Sequence, residues 1–314
     1  MEPVQKVVIA LGGNALQSGK GPFTADAQLK VVCDTSRYIA EIVLQGYEIA
    51  LVHGNGPQVG RILLATEAAK DVTPAMPFDV CGAMSQGYIG YHIQQGVKEA
   101  LKRRDKEIPI VTLITQVVVD KDDPGFANPT KPIGPFYTEE EAKQLERERG
   151  YVVREDSGRG YRRVVASPKP VRICEIDSVN RLWKSTIVVV CGGGGIPVIE
   201  TEKGIQGVSA VIDKDFAAAL LADETDANTL MILTEVEKVA IRYNKPDQED
   251  LSVITVDEAQ KYAAEGHFAP GSMLPKVQAA VEFVKKDSRR RAIITSLNKA
   301  VDALDGKTGT TIVY

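Results

Sequence analysis

Only four cysteines and three histidines occur in 314 residues, and no two cysteines stand in the close pair that a zinc ligand set or redox motif requires. Cys33, Cys81, Cys174 and Cys191 therefore read as reduced, partly buried thiols. An excess of charge of one sign is missing too: 42 acidic against 38 basic side chains leave a net charge of −4. That excludes a primary nucleic-acid role, which needs a basic footprint to displace counterions. The two basic runs, Lys102–Lys106 and Lys285–Arg291, fall at the ends of expected helices, where cations complement the dipole. No run of 18 apolar residues occurs, so no membrane span is expected. The chain reaches Val7-Val8-Ile9-Ala10-Leu11 within a few residues and shows no signal-peptide pattern, which gives a cytoplasmic expectation.

Short runs rich in Val and Ile are plentiful. Val7 to Leu11, Tyr47 to His53, Ile110 to Ile114, Thr186 to Cys191, Thr229 to Leu233 and Ala292 to Thr295 each precede a glycine turn or a helical pattern. Fully apolar strands alternating with helices predict a parallel sheet covered on both faces. Leu29, Val32, Cys33, Ser36, Ile39, Val43 and Leu44 keep the spacing of one buried helical face, closed by Gly46. The fold class is α/β: a three-layer αβα sandwich around a mainly parallel open sheet, one domain over residues 1–314. Residues 124–170 break the rhythm with six of the 16 prolines, the charged Glu139–Lys143, and a hairpin pattern turning at Ser157-Gly158-Arg159-Gly160. They read as a protruding lid subdomain.

Glycine turns follow three of the strands: Gly12-Gly13-Asn14, Gly54-Asn55-Gly56 and Gly192-Gly193-Gly194-Gly195. A fourth, Gly271-Ser272, has a less strand-like setting. Glycine lets backbone N–H groups converge on an anion, and open α/β sheets bind ligands at the carboxyl ends of their strands. Any one of these turns alone also serves simply to reverse the chain. The common nucleotide fingerprints do not fit. Five residues separate Gly13 from Gly19-Lys20, with Gly21 where a P-loop needs Ser or Thr, and the third glycine of Gly54-Asn55-Gly56-Pro57-Gln58-Val59-Gly60 comes one residue late for a dinucleotide fold.

Three lysines stand apart from the charged surface runs. Lys131 lies in Asn128-Pro129-Thr130-Lys131-Pro132, a stiff turn at the base of the lobe, and is either a solvated loop lysine or a functional one. Lys214 sits within Asp213-Lys214-Asp215 at a helix start, where Asp215 either caps the helix or steers neighbouring lysines. Lys276 falls in the first turn of an amphipathic helix, a place unfavourable to a cation unless an anion is bound. His53, between a strand and a glycine turn, reads as a hydrogen-bonded packing residue. No nucleophile with a paired base and no metal-ligating cluster is visible.

Read together, Ala10 to Ala15, Gly54 to Gly60, Cys81-Gly82-Ala83-Met84-Ser85-Gln86-Gly87, Asn128 to Pro135, Arg154 to Gly160, Ser167 to Pro170, Gly192 to Pro197, Val211 to Ala217 and Gly266 to Met273 make the chain resemble the carbamate kinase family of the amino acid kinase fold. The likeness runs from Val7 to Val313. It implies reversible phosphoryl transfer between ATP and carbamate, giving ADP and carbamoyl phosphate, with Mg2+ on the nucleotide phosphates. It also implies a homodimer with contacts around Cys81 to Tyr91, and a role in arginine metabolism. By the same resemblance Lys131, Lys214, Asp215 and Lys276 are the catalytic set, Lys131 closing over carbamate. Gly12, Gly13, Asn14, Gly54, Asn55 and Gly56 are expected at the phosphate path and carbamate side. Lys214, Tyr243, Gly271, Met273 and Lys276 are expected at the nucleotide. Related acetylglutamate-type kinases carry a lysine where Ala10-Leu11 stands, and Glu237 replaces an Asp frequent in the wider fold, so no role passes to it. Ser157 looks neutral. The rival readings are a kinase of the same fold for an acylated amino acid, and a non-catalytic ATP sensor.

Overall fold

The computed structural model describes residues 5–17, 23–156 and 158–314. Gly19, Lys20, Gly21 and Ser157, weighed above, lie outside the described residues. Among the described residues, eight strands form the central sheet, in the spatial order Val253–Thr255, Thr310–Val313, Arg291–Ser296, Thr229–Thr234, Lys6–Leu11, Glu48–His53, Ile187–Val189, Ile110–Thr112. All neighbours run parallel except Arg291–Ser296 with Thr310–Val313. Six of these strands are the Val/Ile runs of the sequence. Ile110 to Ile114 is shorter than expected, ending at Thr112.

Successive side chains of a strand point to opposite faces, and the core divides accordingly. Val8, Ala10, Val52, Leu230 and Ile294 face the helices Lys214–Glu224, Val256–Ala264 and Met273–Val284. Val7, Ile9, Leu51, Met231 and Ile293 face Ala25–Leu44 and Phe78–Lys102. This is the αβα sandwich. The two long helices pack closely because Gly96 has no side chain: a Cβ there would sit 2.6 Å from the Ser36 hydroxyl. Ala25–Leu44 starts at Thr24, whose Oγ1 accepts from Ala27 N–H, and stops before Gly46 at φ +89°.

Three smaller sheets accompany this frame among the described residues, the least of them the pair Ala240–Ile241 and Glu249–Asp250. Gly204–Gly207, Ile196–Thr201, Gln116–Val119 and Pro170–Ile173 form one of four strands, which the sequence reading did not foresee. Lys131–Tyr137, Tyr161–Val165 and Val152–Glu155 form an antiparallel sheet of three, carrying the helix Glu139–Arg149 with its Thr138/Glu141 capping box. This lobe leaves and re-enters the body at adjacent points, for Lys131 pairs with Val165 and Thr130 N–H donates to Val165 C=O at 3.2 Å. Glu67 of the helix Gly56–Ala68 holds its side, accepting from Arg149 at 2.6 Å and from the Tyr151 hydroxyl, with Arg163 at 3.5 Å.

Candidate active site

The parallel strands end at one edge, and their glycine turns meet there. Gly12 and Gly13 follow Leu11, Gly54 to Gly56 follow His53, and Gly192 to Gly194 follow the strand Ile187–Val189. Around them open two adjoining cavities. The smaller, about 210 Å³, is lined by Gly54, Asn55, Gly56, Lys131, Gly193 and Asp215 among others. The larger, about 700 Å³, lies between the segments Thr234–Lys245 and Gly266–Met273. Gly13, Lys214, Gly271, Ser272 and Lys276 belong to the walls of both.

The three lysines meet at this junction on two carboxylates. Asp215, 1% exposed, accepts from Lys214 Nζ on Oδ1 at 2.6 Å and from Lys276 Nζ on Oδ2 at 2.9 Å. Asp213 Oδ2 pairs with Lys131 Nζ at 2.7 Å, and its Oδ1 accepts from Asp215 N–H at 2.9 Å. Asp213, not Asp215, is thus the cap of the helix Lys214–Glu224, which corrects one of the two roles considered for Asp215. Lys131 is likewise not in a turn but is the first residue of a strand. Burial works against the Asp213 charge, but the Lys131 and Lys214 ammoniums hold its carboxyl well below the usual carboxylate range. Burial also disfavours the Lys214 ammonium, yet Asp215 and Asp213 keep it above the ordinary lysine range. Lys276 stands in the first turn of Met273–Val284, whose N-terminus receives no side-chain cap from its own N-cap residue, Ser272. The dipole cost of that cation is offset by Asp215.

The floor of the small cavity is tightly packed. Gly193 has φ +69°, and a Cβ on it would come within 2.1 Å of Asn55 Nδ2. Asn55 in turn donates to Ser85 Oγ at 2.9 Å. His53 is fully buried beneath, with Nδ1 2.8 Å from Gly54 C=O and Nε2 without a partner among the described residues. Burial lowers its pKa to about 4, with the Gly54 hydrogen bond opposing, so the ring is neutral at pH 7. It does not line either cavity, in keeping with a packing role.

Every residue singled out for the site borders one cavity or the other. Lys131, Asp215, Gly54, Asn55 and Gly56 line the small one; Gly12, Asn14, Tyr243 and Met273 line the large one. Asn14 Nδ2 donates to Glu235 Oε1 at 2.5 Å. Sequence reasoning passed over Asp213, Glu235 and His267, of which only Asp213 carried a signal, that of an N-cap residue beside a helix start. Among the described residues, no three His, Cys, Asp or Glu converge to hold a metal ion. No helix among them is long and apolar enough to cross a membrane.

Comparison with known proteins extends this picture. The model of the amino acid kinase family matches residues 5–296. Carbamate kinase of Clostridium perfringens is 54% identical over 98% of this chain and 99% of its own length. That of Pyrococcus horikoshii is 53% identical with the same coverage. Among solved structures, carbamate kinase from Giardia lamblia bound to AMP-PNP superposes with a TM-score of 0.92 at 46% identity, covering 100% of this chain and 99% of that one.

Proposed function

Since the chain belongs to the amino acid kinase family, we propose that its two adjoining cavities seat the two partners of a phosphoryl transfer: carbamate in the small one and a nucleotide in the large one. The chain is a phosphotransferase acting on carbamate. It converts ATP and carbamate reversibly into ADP and carbamoyl phosphate. The observation that carries the site assignment is the shared wall, where Lys214 and Lys276 border both cavities and are held by one buried carboxylate.

Carbamate is an anion already, so its oxygen attacks the terminal phosphorus without a general base. The obstacle is repulsion from the polyphosphate: a pair of like unit charges at 4 Å costs about 4 kcal/mol at an effective dielectric near 20. Lys214 and Lys276 face the transferring group from the junction and neutralise charge as it moves from one oxygen to the other. Lys131 meets the carbamate from the lobe side, and the Gly54–Gly56 turn offers backbone amides. Such catalysis consists mostly of positioning and charge stabilisation. The lobe, residues 124–170, is in this reading a lid over the small cavity.

The nucleotide brings a divalent cation, magnesium in our reading, which supplies further charge neutralisation on the phosphates. The donor set fits that arrangement: among the described residues no three His, Cys, Asp or Glu converge, and Asp213 and Asp215 already pair with lysines, so such an ion would be held chiefly through the nucleotide. A cytoplasmic homodimer belongs to the same proposal. Val80, Met84 and Tyr91, 38%, 45% and 60% exposed on the helix Phe78–Lys102, support a contact there.

The deciding experiment is a coupled assay of ATP formation from ADP and carbamoyl phosphate. Steady turnover is expected. A protein silent with carbamoyl phosphate but active with the acyl phosphate of an N-acylated amino acid would overturn the assignment of the small cavity.

A further inference from the structure

Asp213 has two oxygens with two different partners, and the cap accounts for only one of them. Oδ1 accepts from Asp215 N–H at 2.9 Å, which is what a helix start asks of Ser, Thr, Asn or Asp alike. Oδ2 lies 2.7 Å from Lys131 Nζ, 82 residues away in sequence and on the first residue of the lobe. The Asp213 side chain is 17% exposed, whereas that of Lys131 is 35% exposed on the cavity wall. The body and the lobe are pinned beside this pair by the Ala166–Ala210 bridge and by Val211 N–H donating to Ala166 C=O at 2.9 Å.

We propose that Asp213 is a positioning residue: one carboxylate both fixes the helix that carries Lys214 and Asp215 and holds the Lys131 ammonium at the rim of the small cavity. A lysine ammonium on a four-carbon stem samples many rotamers unless something holds it. Held by Asp213, it stands ready before the acyl anion arrives, so less order has to be gained in the transition state. Charge and position then make opposite predictions. Three ammoniums and two carboxylates give the cluster a net charge of +1, so removing a carboxylate strengthens the ground-state pull on an anion while loosening Lys131.

This inference rests on the phosphotransfer reading above, and its test separates the two. Asp213→Asn keeps an acceptor for Asp215 N–H and removes the charge. Its melting temperature is expected within about 4 °C of wild type. In ATP formation from carbamoyl phosphate and ADP, kcat is expected to fall about tenfold to a hundredfold, while KM for carbamoyl phosphate stays level or drops. In a Lys131→Met background the same substitution should cost less than about twofold, because nothing remains to be positioned. Asp213→Ser, which also caps, repeats the measurement if the Asn variant does not fold. A kcat near wild type, losses that add fully to those of Lys131→Met, or KM for carbamoyl phosphate and KM for ADP rising together with a lowered melting temperature would each overturn the proposal. Wild-type protein without turnover would instead overturn the functional reading.

Discussion

The two cavities share lysines yet are built differently. The small one is walled by main-chain turns and by an ion pair already in place: Gly193 against Asn55 and Lys131 against Asp213. The large one is walled by side chains from separate loops, with Tyr243 55% exposed at its edge. A tightly packed floor and paired charges suit a small anion that must be aligned with a phosphorus atom. A roomier wall suits a nucleotide, whose many contacts share the work of binding. Changes in the small cavity should therefore strike turnover, and changes in the large one affinity.

The hardest blow to that contrast would come at the shared wall. Lys276→Ala should lower kcat for ATP formation about a hundredfold to a thousandfold, as loss of one charge-stabilising donor does. A variant keeping more than a tenth of wild-type turnover would break the picture of a common catalytic wall. Lys131→Ala sharpens it further, because this lysine borders only the small cavity. Its turnover should collapse while ADP affinity, read by calorimetric titration, stays within a few fold; a parallel loss of ADP binding would mean that the cavities are not separate in function.

The burial of His53 beneath the floor can be tested through pH. His53 titrates at about 4 in the folded protein, below its usual value of 6.5. The unfolded chain therefore takes up a proton first as the pH falls. The neutral ring contributes its full stability above about pH 6.5, and that is lost progressively down to about pH 4, on the order of 3 kcal/mol in all. Urea unfolding of wild type and His53→Gln between pH 7 and 4 should show the steeper decline in wild type, and parallel curves would disprove it. The smallest effect belongs to the large cavity. Tyr243→Ala should raise KM for ADP a few fold and leave kcat unchanged, in line with the partial burial of that ring, and a kcat loss equal to that of Lys131→Ala would contradict the division.

Much of this could be seen in the chain beforehand, for identifiable reasons. A central parallel strand is buried on both faces and reads as an unbroken apolar run, so Val7–Leu11 and its neighbours stand out. The edge strand Val253–Thr255 and its neighbour Thr310–Val313 are short and carry threonines, and they did not. Nor did the four-stranded sheet, because Gln116–Val119 follows closely on another apolar run and Ile196–Thr201 on the glycine turn. In the site, glycine turns and isolated lysines leave local marks. The partner of Lys131 left none, since a contact across 82 residues has no spacing to read, and in Asp213-Lys214-Asp215 both carboxylates are plausible caps until the backbone shows which one precedes the first turn.

The lobe goes out and comes back through neighbouring residues, Lys131 and Val165, and no strand of the eight-stranded sheet passes through it. A cleavage within the lobe would therefore sever no strand of that framework, and the two stumps would still be held side by side at Lys131 and Val165.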